Sequence, residues 1–490
     1  TQNQILKSVV KEINDEYVLI SLRNKLTNFE ILENVDSWKI VKDYSDANLK
    51  RLYPYLYQLL KSDKKELILG LKESTYSEKN IPENDLDKTQ NIIFKKAICS
   101  DDYFLLQGPP GTGKTSYFLR NLVKYYLEQT DQDIFLTAYT NRAVDQICNS
   151  LDSAGFSEQY VRIGSSESTE NDSRLISRLS RELNFDELTN EIKKSRIIVS
   201  TLSSAISNSE IFEIKKFHAC IVDEAAQILE IQIAGFLSQF QKFILIGDEK
   251  QLPAITAQKE ESLIVNDPDL KSISFSKLSS SLFERLLLNC RRNSWDKSYG
   301  MLTKQARMVD SIMNLSNHLF YDNKLESLYE NNEDSELTFI NSSIEKSSKS
   351  NSHQAEITKS LVQELLNDYS IDEIGVIAPF KKQCNLIKKE LRSINADGIT
   401  VDTVERFQGS ERDVIIISTC VNHSVQLKQI ESKAQLEGIE IDRKLNVAIT
   451  RAKRKLFILG NKNVLSKSEN YRKMIDFIED NNKFLNFENS

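Results

Sequence analysis

Close cysteine pairs are missing. Six cysteines (Cys99, Cys148, Cys220, Cys290, Cys384 and Cys420) are scattered singly through 490 residues. This excludes the clustered spacing of zinc and iron-sulfur sites and leaves reduced thiols, as expected of a cytoplasmic protein. Long apolar runs are also missing: "KFILIGD" and "DVIIISTC" stop far short of the ~18 residues a membrane helix needs. The N-terminus shows no signal-peptide pattern, so no membrane partner is expected. Internal repetition at a fixed short period is also absent. A G-x-S-x-G elbow is absent, and the four histidines, His218, His318, His353 and His423, stand in no supporting constellation, which excludes Ser/His/Asp hydrolase chemistry. An N-K-x-D signal is absent, which excludes a guanine-specific switch. Positive charge is not in excess, the formal net charge being −7, so any nucleic-acid surface has to be a local groove. The first residue is Thr, which suits a piece of a longer chain.

What is present is ordinary globular material, 40% hydrophobic and 28% charged, enough for about three domains. Residues 1–80 read as an accessory region. "SVVKEINDEYVLISLR" suggests two β-runs around an Asn14-Asp15 turn. Leu49, Leu52, Leu56, Leu59 and Leu60 then recur at helical spacing, predicting a packing helix. From "DYFLLQ" onward, short apolar runs ("DIFLTAY", "RIIVST", "HACIVDEAAQ", "KFILIGD") alternate with helical patterns. That alternation predicts βαβ units with a parallel sheet, over residues 81–295, interrupted by a helical insert at about 151–195. A second series over 296–490 ("LTFIN", "EIGVIAPF", "GITVDTV", "DVIIISTC", "KLFILGN") predicts a second sheet followed by a C-terminal helix. The Ser/Asn/Lys-rich "NSSIEKSSKSNSHQ" is expected to be a mobile loop.

Gly108, Pro109, Pro110, Gly111, Thr112, Gly113, Lys114 and Thr115 match G-x-x-x-x-G-K-[ST] between a strand-like and a helix-like segment. In that setting the backbone N–H groups curl around phosphate, and the helix N-terminus adds positive potential. Lys114 reaches the β/γ-phosphates, and the Thr115 hydroxyl serves Mg²⁺. The "ACIVDEAAQ" strand end supplies Asp223 for the metal and Glu224 to orient and deprotonate water. Gln251 of "GDEKQLPA" is placed to sense the γ-phosphate. Arg307 and Arg451, from the second series, are candidate fingers that complete the site when the two sheets close around ATP.

Taken in order, "LDKTQ", "GPPGTGKT", "TAYTNRAVDQI", "DEAAQ", "GDEKQLPA", "LTKQARM", "TVERFQGSERDVIIIS" and "RKLNVAITRAKRKLFILGN" resemble the motif blocks of superfamily 1 helicases. The match is to subfamily B, the group of the nonsense-mediated-decay RNA helicase and the replication nuclease-helicase, over about residues 84–465. The resemblance implies tandem RecA-like domains with ATP and Mg²⁺ between them. It implies that Gln90 reads the adenine edge and that Gly409 and Glu411 lie near the γ-phosphate and ribose. It places a single strand across both domains, held by Thr140, Asn141, Thr201, Pro379, Phe380 and Thr403, and movement 5′ to 3′. Ala306 departs from the pattern, since an aromatic often stands there to stack on adenine. The segment leading into the motor looks like that of the replication group and favours DNA. With no room upstream for a nuclease domain, a monomeric motor with a separate nuclease or repair/defence partner is expected. An RNA helicase of the same subfamily, or an ATP-switched clamp without unwinding, stays open.

Overall fold

The computed structural model describes residues 8–13, 17–22, 38–40, 47–165, 169, 173–254, 256, 258, 260–328, 334–346, 349–481 and 483–486. Residues 1–50 and 51–490 form two separate compact units. In the first, β1 (Ser8–Ile13) and β2 (Val18–Leu22) pair antiparallel with a register shift between Val10 and Glu12. The Asn14-Asp15 turn expected between them lies outside the described residues.

The second unit holds two parallel sheets. The first comprises β3 (Tyr103–Gln107), β4 (Ile134–Ala138), β5 (Tyr160–Ile163), β6 (Ile197–Thr201), β7 (Ala219–Asp223), β8 (Lys242–Gly247) and β9 (Tyr299–Met301), in the order β5-β6-β4-β7-β8-β3-β9. In the chain between the strands of the two sheets come two short strands that pair parallel, β10 (Lys304–Gln305) and β11 (Glu326–Ser327). The second sheet uses β12 (Glu336–Asn341), β13 (Ile374–Ile377), β14 (Thr400–Asp402) and β15 (Arg412–Ser418). A hairpin, β16 (Lys433–Leu436) and β17 (Ile439–Asp442), precedes its last members, β18 (Ala452–Gly460) and β19 (Lys483–Asn486). The order is β14-β13-β15-β18-β12-β19, all parallel.

Why these runs become central strands follows from their two faces. Along β3, Tyr103 and Leu105 enter one apolar cluster while Phe104 and Leu106 enter another, so the strand is buried on both sides and reads as a continuous apolar run. Val414 and Ile416 of β15 likewise face one cluster, Ile415 and Ile417 the other. This is α/β architecture of the tandem RecA-like kind.

Four sequence expectations change. The insert is not all helical. Tyr160–Ile163 forms the edge strand β5, its polar Arg162 buried against Asp145 of the helix Asn141–Ser153. Tyr299–Met301 pairs with β3, so the first sheet takes in residues beyond the expected division at 295/296. The C-terminal helix Glu469–Asn481 is followed by β19, an edge strand. In place of a mobile loop, the described part of "NSSIEKSSKSNSHQ" is anchored. Asn351 and Gln354 are fully buried, Gln354 begins a hydrogen-bonded chain to Ser342 and Ser418, and Ser352 starts the helix Ser352–Leu365.

Within the helix Ala47–Lys61, Leu52, Tyr55 and Leu59 are buried, whereas Leu60 is exposed. Tyr55 packs edge-on against Phe236 at 5.9 Å between centroids. The approach is close because Gly235 has no side chain: a Cβ there would lie 2.5 Å from the Tyr55 carbonyl carbon. Gly235→Ala is therefore expected to destabilise this unit by about 1–3 kcal/mol through overpacking, read as a lower urea midpoint at unchanged slope. An unmoved midpoint would mean that this contact does not hold the helix in place. Among the described residues, no helix is long and apolar enough to cross a membrane.

Candidate nucleotide site and nucleic-acid face

The phosphate loop leaves β3 at Gln107 and enters a helix whose first turn, Lys114–Leu119, is π-wound. Both Tyr117 N and Phe118 N donate to Gly113 O, at 2.9 and 3.0 Å. Widened turns of this kind concentrate at functional sites. Gly111 and Gly113 have φ of +78° and +71°, conformations that favour glycine. Gly111 has a second reason: a Cβ there would stand 2.5 Å from the Arg307 Cβ, and Gly111 O accepts from Ala306 N at 3.0 Å. The loop thus touches the Gln305–Arg307 segment directly.

At the end of β7, Thr115 Oγ1 donates to Asp223 Oδ2 at 2.6 Å, and Lys114 Nζ pairs with Glu224 Oε1 at 2.7 Å. Gln227 Nε2 donates to Glu224 Oε2 at 2.9 Å, and Glu224 itself sits at φ +52°, an uncommon backbone for a residue with a Cβ. Burial, then the Glu224 charge, raises the Asp223 carboxyl above its ordinary range. Burial alone would raise Glu224 as well, but the adjacent Lys114 ammonium overrides it and holds Glu224 low. Lys114 is raised in return: burial opposes its charge, and the two carboxylates outweigh burial.

From the other side, Arg307 Nε pairs with Glu411 Oε2 at 2.6 Å. Arg451 is buried. It donates through Nε to Val447 O at 3.0 Å, through Nη1 to Ser410 O at 3.3 Å and through Nη2 to Gln251 Oε1 at 3.5 Å. Burial, then the charge of Arg307, lowers Arg451 to about 9. Lys114, Glu224, Gln251, Arg307, Gly409, Glu411 and Arg451 line one cleft of about 650 Å³ between the sheets.

Gln90 is placed differently from the expectation. Its Oε1 accepts from Asp87 N at 3.3 Å, and Asp87 Oδ1 accepts from Gln90 N at 3.1 Å, a capping box for the helix Lys88–Cys99. Gln90 is not among the residues of the cleft wall, and its carbonyl oxygen is committed to the cap, which leaves Nε2 for another partner.

Two models, each described as an AAA domain, match the chain, one over residues 85–186 and 169–259, the other over 278–463. The DNA replication ATP-dependent helicase/nuclease DNA2 of Bos taurus is 28% identical over 538 residues, covering 96% of this chain and 47% of the relative. The protein of the same description from Gallus gallus is 30% identical, covering 85% and 39%. That of Saccharomyces cerevisiae is 29% identical, covering 81% and 27%. This is a superfamily 1B-type helicase region. The chain spans less than half the length of these relatives. An arterivirus nonstructural protein 10 (helicase) structure with DNA is 17% identical, covering 79% of this chain and 67% of that one at a TM-score of 0.41.

In the helicase region, each expected nucleic-acid contact lies at the carboxyl end of a parallel strand. Thr140 and Asn141 follow β4, with Thr140 Oγ1 accepting from Ala143 N at 3.2 Å. Thr201 ends β6 and is 7% exposed, its hydroxyl engaged with Ser204. Pro379 and Phe380 follow β13, and Lys349 Nζ stands 5.8 Å from the Phe380 ring centre. Thr403 follows β14 and accepts at its carbonyl from Arg406 N and Phe407 N.

Three features escaped the sequence reading. Gln146, Asn149 and Ser153 form a polar stripe of the helix Asn141–Ser153 along the cleft wall; their i, i+3, i+7 spacing was the available signal. Tyr117 and Arg120 stand at the same cleft. Asp248 is a junction between lobes, accepting from Gln251 Nε2 at 2.9 Å and Tyr321 OH at 2.7 Å. Tyr321 OH in turn accepts from Asn446 Nδ2, which is shared with Lys250 O.

Proposed function

We infer that this chain is the motor part of an ATP-dependent DNA helicase, hydrolysing ATP in the inter-lobe cleft and moving 5′ to 3′ along a single strand. The observation that supports it most is the shared cleft: Lys114, Glu224 and Gln251 come from the first lobe, Arg307 and Arg451 from beyond Met301. Neither lobe alone holds the full set.

Lys114 and the loop N–H groups neutralise the phosphates. Thr115 and Asp223 would hold Mg²⁺: one hydroxyl and one carboxylate, 2.6 Å apart, are the hard oxygen donors such an ion takes beside phosphate oxygens. When bound, the ion supplies charge neutralisation on the β- and γ-phosphates. Glu224 accepts the proton of the attacking water, and Gln251, Arg307 and Arg451 answer the charge that grows on the γ-phosphoryl oxygens. Gln90 keeps Nε2 for the adenine edge, and Gly409 and Glu411 border the phosphate and ribose. Once phosphate leaves, its pull on the arginines is lost and the hold between the lobes weakens. Thr140, Asn141 and Thr201 on one lobe and Pro379, Phe380 and Thr403 on the other then grip the strand in turn. The contacts are hydroxyl, amide and ring groups, suited to backbone and stacking without reading sequence. DNA is favoured over RNA on the similarity to replication helicase/nucleases, and a nuclease working together with this motor is proposed on the same ground.

The test is ATP turnover with matched DNA and RNA oligonucleotides, followed by strand displacement on duplexes with 5′ or 3′ tails. Stimulation by DNA and displacement from the 5′ tail are expected. Turnover indifferent to every strand would remove the reading, whereas stimulation without displacement would favour an ATP-switched clamp.

A further inference from the structure

We propose that Tyr117 is the platform on which the purine of the nucleotide stacks; this rests on reading the cleft as an ATP site. Neither residue that the family resemblance offers for the base is free to play that part in full. Ala306 has no ring, and the Gln90 carbonyl oxygen belongs to the cap of its own helix. Tyr117 stands on the first turn above the phosphate loop, lines the same cleft as Lys114 and Ala306, and is 46% exposed.

The ring is held in place. The Arg120 guanidinium lies 4.8 Å from its centre, and Arg120 is itself paired with Asp85 at 3.5 Å. Asp85 is two residues ahead of the Asp87 cap, and Lys304 reaches Asp87 at 3.8 Å. The tyrosine therefore occupies the mouth where the helix of Gln90 and the strand leading into Ala306 meet. A cation covers one face of the ring, leaving the other for a base. The loop's nearest approach is to the part of the side chain that alanine retains: a Cβ on Gly113 would stand 3.3 Å from Tyr117 Cβ and 3.9 Å from the ring atom Cδ2.

Tyr117→Ala is expected to raise KM for ATP about tenfold or more with kcat nearly unchanged, since stacking acts on ground state and transition state alike. Tyr117→Phe should restore it. The triphosphate of 2-aminopurine riboside should lose fluorescence on binding the wild type and the Phe variant but not the Ala variant, a signature that loop packing would not give. Wild-type KM and full quenching in Tyr117→Ala, with Lys114→Ala inactive, would overturn the stacking role and leave the ATP site standing. A fall in kcat at constant KM would also overturn it, assigning Tyr117 to loop positioning. Hydrolysis undiminished in Lys114→Ala would instead remove the ATP site itself.

Discussion

Glu224→Gln is expected to lower kcat by about 10²–10⁴-fold while ATP still binds, because the substitution removes a proton acceptor and little else. Glu224 Oε1 faces Lys114 at 2.7 Å and Oε2 takes a hydrogen bond from Gln227, so an amide of the same shape keeps an oxygen for one of them. The backbone at φ +52° is a costly conformation for a residue with a Cβ, about 1–2 kcal/mol, and it turns the carboxylate from the end of β7 into the cleft. The Lys114 ammonium, against the effect of burial, holds this carboxyl low and keeps it ionised as a base must be. Single-turnover phosphate release with excess enzyme, alongside ATP binding measured by calorimetry, checks the point. A kcat near that of the wild type would show that some other group takes the proton. Loss of binding would show that Glu224 builds the loop rather than serving the chemistry.

The two sheets were legible because the middles of strands buried on both faces must be apolar, as "YFLL" in β3 and "VIII" in β15 are, and such runs stand out from their surroundings. The edge strand β5 was not legible, since Arg162 in "YVRI" looks like a surface residue until Asp145, on the helix Asn141–Ser153, neutralises it in the interior. Strand β9 is three residues long and carries Gly300, which is tolerated because a Cβ there would meet Ile93 at 2.7 Å. No local pattern announces such a strand, and the first sheet consequently runs past the expected division. The Ser/Asn-rich segment before the helix Ser352–Leu365 misled for the opposite reason. Polar composition suggested solvent, yet Asn351 and Gln354 bond to each other and to Ser342, Ser418 and Asn422 within the fold. The cleft residues were legible as far as each sits in a linear motif at a strand end. The Tyr321–Asp248–Asn446 junction was not, because its members lie 73 and 125 positions from Tyr321 and have no spacing to read.

That junction bears on the second large effect. Arg451→Ala is expected to cut the DNA-stimulated kcat by about 10³–10⁵-fold, and Arg451→Lys to recover little of it, because one ammonium cannot reproduce a planar guanidinium held at three points. Two of those points, Val447 O and Ser410 O, belong to its own lobe, and the third is Gln251 of the other. Gln251 is in turn fixed by Asp248, which also takes the Tyr321 hydroxyl, so the Arg451 guanidinium is tied into the contact that joins the lobes. Burial, then the neighbouring Arg307 charge, lowers Arg451 to about 9, still protonated at neutral pH, so a buried guanidinium stands beside a like charge at the cleft. An anionic γ-phosphoryl group between them relieves the repulsion, and relieves it most where charge on its oxygens is greatest, in the transition state. The loss should therefore fall on kcat, with ATP affinity altered far less. Arg307, whose charge is already answered by Glu411 at 2.6 Å, should show a smaller loss when replaced by alanine. If Arg307→Ala proves the more damaging, Arg451 serves lobe contact instead. In that case an intact ATP rate in Arg451→Ala, accompanied by failed strand displacement, would be the matching observation.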